Sequence, residues 1–210
     1  MEHDPSRQET GKEDLMTFEQ AWVHIAGVRG WLGNKDQARW MWCEAARARH
    51  VIELGSFCGK SAILMGMAMK ANGNTHGQVW CVDTFQAQNE ELADEDTEAE
   101  FRANLWHAGL DDIVKVVRGD TKDPELLRVV PPCASLLYID ADHSYEAVLE
   151  DVRLWHKHVA ATDGQVLFHD YDWPDVKRAI HDAVRLGYLR DVQAISDDAA
   201  RAWRGCGCGS

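Results

Sequence analysis

From His50 onward the sequence alternates between apolar runs of strand length and segments of helical period, and it keeps doing so to about Val184. The strand-like runs are "HVIEL", "QVWCVD", "DIVKVVRGD", "ASLLYID" and "GQVLFHD". Between and after them come "KSAILMGMAMKA", "EAEFRANLWHAG", a shorter "DPELLRVV" with proline expected at its first helical position, "SYEAVLEDVRLWHKHVA" and "WPDVKRAIHDAV". Such alternation predicts a mostly parallel sheet covered on both faces by helices. Right-handed crossovers then bring the C-terminal ends of the strands to one edge, where ligands of open α/β sheets bind. The closing "YLRDVQAISDDAARAWR" is expected to add two strands as a hairpin. Ahead of the alternation, Thr17 with Gln20 forms a capping box before Ala21, Trp22, Ile25 and Val28, and a second helix follows Asn34 with Ala38, Met41, Trp42 and Ala45 on one face. The expected organisation is a disordered tail over 1–14, an N-terminal helical cap over 15–48, one α/β domain over 49–204 and a flexible tail over 205–210.

Because the strand ends share an edge, their polar residues form a set. The first strand runs into "VIELGSFCGKSA", in which Glu53, Gly55 and Gly59 give E-x-G-x-x-x-G and Ser61 opens a helix. Glycines at a strand-to-helix turn allow close backbone approach to a ligand. Phe57 stands where a dinucleotide fingerprint needs its second glycine, and Lys60-Ser61 lacks the spacing of a phosphate loop. The second strand ends at Asp83, placed to grip ribose hydroxyls, the third at Asp120, the fourth at Asp140, and the fifth at His169-Asp170. Carboxylates at five strand ends on one edge indicate a functional crevice.

A formal charge of −13 argues against nucleic acid as the main partner, since phosphate binding needs clustered Lys and Arg. No apolar run approaches a membrane span, and the first 14 residues contain no signal-peptide core, which predicts a cytoplasmic protein. The six cysteines lack framework spacing and are expected to be reduced thiols, with Cys206 and Cys208 in the tail a poor metal site.

Taken in order, "VIELGSFCGKSA", "VDTF", "RGDT", "YIDADHSYEAVLEDVRLW" and "LFHDY" resemble the class I S-adenosylmethionine-dependent methyltransferases, in particular the small-molecule O-methyltransferase branch that includes sugar, antibiotic-tailoring and catechol-type enzymes. The resemblance covers about residues 30–185. It implies a Rossmann-like, doubly wound, seven-stranded sheet with an antiparallel last strand, S-adenosylmethionine as cofactor and a hydroxylated small molecule as acceptor. It also implies that Glu53, Gly55, Ser56, Gly59 and Ser61 hold the methionine end, that Asp83 with Thr84 holds the ribose, and that Gly119 and Asp120 lie near the adenine. Asp140 falls where the methionyl amine or a metal is contacted.

Catechol-type relatives hold Mg²⁺ at the ends of strands four and five, so the resemblance implies Asp140, His169 and Asp170 as ligands of Mg²⁺ or another divalent metal. His169 departs from that pattern, because imidazole suits transition metals better than Mg²⁺. His143 is the expected base, its imidazole titrating near neutral pH, with Asp142 second. Trp31 is a candidate cover for the cofactor, and "NEELADEDTEAE" is a solvated face or part of a lid. The other tryptophans are expected in the core and His156 and His158 at the surface. An NAD-dependent oxidoreductase or a non-catalytic cofactor-binding protein would use the same fold. Self-association is left open.

Overall fold

A computed structural model of the chain describes residues 15–86 and 95–205. Helices α1 (Phe18–Ile25) and α2 (Lys35–Arg47) come first. Strand β1 (His50–Leu54), helix α3 (Lys60–Ala71), strand β2 (Gln78–Asp83), helix α4 (Glu98–Ala108), strand β3 (Val114–Arg118) and helix α5 (Leu126–Val129) follow. Strand β4 (Leu136–Ile139), helix α6 (Tyr145–Trp155), strand β5 (Gln165–Phe168), helix α7 (Pro174–Arg185) and strands β6 (Leu189–Ala194) and β7 (Ala200–Arg204) complete it. The capping box at Thr17 is formed, with Gln20 returning the hydrogen bond, and Asn34 caps α2 by accepting from the Asp36 and Gln37 N–H groups.

The seven strands lie in the order β3-β2-β1-β4-β5-β7-β6, all parallel except β7, which runs antiparallel to both neighbours. The sheet is thus the expected one, with the C-terminal segment forming its hairpin. The order reverses between β1 and β4, the switch point at which a crevice opens beyond the strand ends. Successive β1 residues face opposite layers. Val51 packs with α1, α2, α3 and Phe101 of α4, whereas Ile52 and Leu54 pack with α6 and α7 around Trp155, Val176 and Ile180. Helix α3 is buried from Ser61 to Met69 because α1 and α2 cover its outer side.

At the switch point the chain crosses itself closely. The Asp140 N–H donates to the Leu54 carbonyl at 2.8 Å, and Gly55, at φ +82°, presses against Asp140. A Cβ on Gly55 would lie 2.1 Å from the Asp140 carbonyl oxygen, a backbone atom that cannot swing aside. Gly55→Ala is therefore expected to destabilise the fold by about 3 kcal/mol or more, combining overpacking with a strained dihedral. Urea unfolding checks this; a loss under about 1 kcal/mol, the size of an ordinary substitution, would show that the crossing can relax.

Three local expectations need correction. Pro124 lies ahead of α5, whose N-cap is Glu125, so it sits in the turn that leads into the helix rather than at its first position. His156 is buried: its Nδ1 lies 3.0 Å from the Val152 and Arg153 carbonyls at the end of α6, and its ring packs on Tyr188. His158 is half-buried with Nε2 2.9 Å from the Leu127 carbonyl. Of the nine tryptophans only Trp42 and Trp155 are buried, while Trp31, Trp106 and Trp173 are exposed. Helical spacing marks a face but does not say whether a partner covers it. The tails over 1–14 and 206–210, with Cys206 and Cys208, lie outside the described residues.

Candidate functional site

A cavity of about 550 Å³ runs along the C-terminal edge of the sheet, from the β1–α3 loop past β2 and β3 to the ends of β4 and β5. This is an ordinary size for a small-molecule site. Its position follows from topology, since every loop that lines it leaves a parallel strand in the same direction.

The β1–α3 loop is held from beneath by Glu53. This fully buried carboxylate accepts hydrogen bonds from Ser56 Oγ, Ser61 Oγ and the Cys81 thiol. Burial raises the Glu53 pKa to about 7, against the partial opposition of the Ser56, Ser61 and Cys81 hydrogen bonds. An unfolded Glu ionises near 4.5, so between about pH 4.5 and 7 the unfolded state loses its proton first and stability falls as pH rises. The fall is of the order of 3 kcal/mol and is complete above pH 7. Glu53→Gln is expected to flatten that decline, as measured by denaturant unfolding at pH 5 and 8. An unchanged pH dependence would mean that another group is responsible.

Asp83 fastens the loop from the other side. Its Oδ2 accepts the Ser56 and Phe57 N–H groups at 2.6 and 2.8 Å, and its Oδ1 accepts the Phe85 N–H at 2.6 Å. Gly55, Ser56, Ser61, Asp83, Thr84, Asp120 and Asp140 line the cavity, as do Asp142, His143 and Asp170. Glu53, Gly59, Gly119 and His169 do not. Glu53 lies beneath the loop, Gly59 caps α3 at φ +91°, and the Gly119 N–H donates to the Asp83 carbonyl at 2.9 Å. Trp31 is exposed at the cavity, tilted 4.9 Å from the Phe57 ring.

At the far end, Asp140, His143, His169 and Asp170 converge. His143 Nε2 lies 2.7 Å from Asp170 Oδ2 and 3.6 Å from Asp140 Oδ1. His169 Nδ1 lies 2.7 and 3.5 Å from the same two oxygens. The His143–Asp170 approach is a close charge contact without hydrogen-bond alignment, which leaves Nε2 formally unpartnered despite the short distance. Burial disfavours charge on His143, but its contacts with Asp140 and Asp170 outweigh this and push its pKa up to about 10. The same competition pushes His169 to about 8, and the two imidazoles hold Asp170 well below the usual carboxylate range against its burial. So placed, His143 is a proton donor at neutral pH, and additional positive charge between the carboxylates would lower its pKa again.

Several functional neighbours escaped sequence reasoning. Tyr138, fully buried, donates from its hydroxyl to Asp140 Oδ2 at 3.0 Å, and Gln37 of α2 donates to that hydroxyl at 3.5 Å. Trp173 stands half-exposed at the cavity with its ring 5.0 Å from that of His143. Arg29, also at the cavity, is paired with Glu95 and Glu100, and Arg118 with Asp96 and Glu98. The described part of the acidic run is therefore ion-paired, and positions 87–94 lie outside the described residues.

The lining carries five aspartates against three cations: Arg29, which is ion-paired, Lys60, which donates to the Gly30 carbonyl, and Lys122. An acidic cavity suits a cationic ligand with hydroxyls and disfavours a pyrophosphate. Phe57 sits where a dinucleotide site needs a bare backbone, and its ring carries Trp31.

Residues 52–171, more than half of the chain, match a family model described as a methyltransferase domain. Solved structures share the fold. The O-methyltransferase NovP superposes with a TM-score of 0.70 at 20% identity over 88% of each chain. CalS11, a TDP-rhamnose 3'-O-methyltransferase of calicheamicin biosynthesis, gives 0.61 at 13% identity over 94% of this chain and 88% of its own. The O-methyltransferase from Bacillus cereus, in complex with SAH, gives 0.59 at 13% identity over 89% and 90%.

Proposed function

Since the chain belongs to the methyltransferase-domain family, we propose that it transfers a methyl group from S-adenosylmethionine to a hydroxyl of a small molecule, with assistance from a divalent metal. The carrying observation is the single acid-lined cavity that joins the β1–α3 loop and Asp83 to the Asp140–His143–Asp170 cluster. S-adenosylmethionine, when bound, supplies a sulfonium methyl for in-line displacement by the acceptor oxygen. Backbone of the β1–α3 loop and Ser56 would hold its methionine end, Asp83 and Thr84 the ribose, and Asp120 the adenine side.

The donor chemistry of Asp140, His169 and Asp170 fits a divalent cation, which would stabilise negative charge on an acceptor oxygen. The remaining work falls to groups of the chain. The acceptor must lose its proton as the new O–C bond forms; Asp142, at the cavity, is placed to take it, and His143 would do so only once positive charge between the carboxylates lowers its pKa. Trp173 and Trp31 offer apolar walls that exclude water from the reacting atoms. NovP is an O-methyltransferase and CalS11 a TDP-rhamnose 3'-O-methyltransferase, which supports a hydroxylated acceptor here.

Calorimetry with S-adenosylmethionine, S-adenosylhomocysteine and NAD tests the cofactor. Micromolar binding of the first two with no heat from NAD is expected. Binding of NAD alone would replace the assignment with an oxidoreductase, and turnover assays on sugar and phenol acceptors would expose a non-catalytic binder.

A further inference from the structure

The four side chains beyond β4 and β5 are arranged more specifically than an ion-pair network requires. The two imidazole nitrogens, His143 Nε2 and His169 Nδ1, each face the same pair of oxygens, Asp140 Oδ1 and Asp170 Oδ2, at 2.7–3.6 Å. Candidate ligand atoms of all four residues lie within 4.8 Å of one another, the one such cluster among the described residues. Two independent Asp–His pairs would give each imidazole its own carboxylate. Here two nitrogens and two oxygens alternate around a common centre instead.

That spacing is informative. Donors bound at about 2.0–2.2 Å to one ion are separated from each other by about 2.8–3.6 Å in octahedral or tetrahedral geometry. The observed edges, two of 2.7 Å and two of 3.5 and 3.6 Å, bracket that range, so only small side-chain shifts would centre an ion. Two carboxylates neutralise a divalent cation, and the site is shielded on its inner side, where His169 is 6% exposed, and open to the cavity at His143. Tyr138 fixes Asp140 from below by its 3.0 Å hydrogen bond, the outer support that a ligating carboxylate needs.

We propose that His143 is a metal ligand, completing with Asp140, His169 and Asp170 a site of two imidazoles and two carboxylates that selects a borderline transition metal over Mg²⁺. This rests on the metal-assisted reading of the same site and divides the work of the Asp142–His143 pair: His143 holds the cation, leaving Asp142 to receive the proton. Mg²⁺ demands oxygen ligands and retains its waters, whereas imidazole nitrogen suits Fe²⁺, Co²⁺ and Zn²⁺, and Mn²⁺, though it favours oxygen, stands between them as a first-row transition metal. Neither histidine belongs in a site built for magnesium.

The test uses the full chain without a polyhistidine tag, titrated with Mn²⁺ and Mg²⁺ by calorimetry and with Co²⁺ by visible absorption. One Co²⁺ per chain, with d–d bands showing nitrogen ligation, and Mn²⁺ binding at least tenfold tighter than Mg²⁺ are expected. His143→Ala should weaken Co²⁺ and Mn²⁺ by about 100-fold, at the upper end of what lost metal support costs, while S-adenosylhomocysteine binding is kept. His143→Asp, which keeps a donor but makes it oxygen, should retain a cation and narrow the preference over Mg²⁺. Thermal melts confirm that both variants fold. Equal cation affinity in wild type and His143→Ala removes His143 from the site but leaves a three-ligand metal site standing. Mg²⁺ binding as tightly as Mn²⁺ overturns the selectivity. No cation binding by the wild type overturns both this proposal and the metal-assisted reading, without touching methyl transfer itself.

Discussion

Replacing His143 with alanine is expected to lower kcat for methyl transfer by about 1,000-fold while leaving affinity for S-adenosylhomocysteine near wild type. The two halves of that result have different causes. The loss follows from geometry: His143 lines the cavity, touches Asp170 at 2.7 Å and lies with its ring 5.0 Å from that of Trp173. Whether the imidazole carries the acceptor's proton or holds the cation beside it, the transition state loses a contact that the bound donor never makes. The retained affinity follows from distance along the crevice, because the β1–α3 loop and Asp83 are organised by their own hydrogen bonds and none involves His143. Stopped assays on an accepted hydroxyl substrate, with parallel calorimetry, separate the two quantities. An unchanged kcat would remove His143 from the reaction, and a matching loss of cofactor affinity would make it a structural residue.

The second large effect is expected at Asp83. Its carboxylate accepts three backbone N–H groups, from Ser56, Phe57 and Phe85, and still faces the cavity. Truncation to alanine leaves three donors without their charged acceptor and takes a carboxylate from the cavity wall, where we propose the ribose binds. Each hydrogen bond to a charged group contributes about 1.5–3 kcal/mol, so a loss near 3 kcal/mol in ligand binding, or about 100-fold in Kd, is a conservative expectation. Asp83→Asn, which retains one acceptor oxygen, should lose less. A protein whose melting temperature falls but whose S-adenosylhomocysteine affinity holds would show that Asp83 only staples the loop.

Much of this architecture was legible in the sequence because it is local. The apolar run "HVIEL" ends at a glycine turn, Pro174 starts α7, Gly109 ends α4, and each of these signals acts within a few residues. The shared edge was legible too, since handedness and alternation force Asp83, Asp120, Asp140 and Asp170 to one side of the sheet. What the sequence hid was contact between distant segments. Nothing in "LLYIDADH" says that the Tyr138 hydroxyl turns back onto Asp140, or that Gln37, 101 positions earlier, reaches that hydroxyl. Helical spacing marks Trp173 for the core with most of the tryptophans, yet it stands half-exposed at the cavity. His156 fails for the converse reason: a residue at the end of an amphipathic helix was read as solvated, but the chain folds Tyr188 over it. Glu53 shows a third limit. Its position in the motif suggested ligand contact, whereas its carboxylate points beneath the loop and supports the residues that line the cavity.

The crossing of Gly55 against the Asp140 carbonyl bears on how such a protein can change over generations. With no room for even a methyl group there, the β1–α3 loop and Asp140 cannot drift apart one substitution at a time. Variation that enlarges or reshapes the acceptor space has to enter elsewhere, at rim positions such as Trp31 and Trp173, which are exposed and carry no share of that contact. A lineage built on this crossing can reshape the rim of its cavity while the floor between β1 and β4 stays fixed.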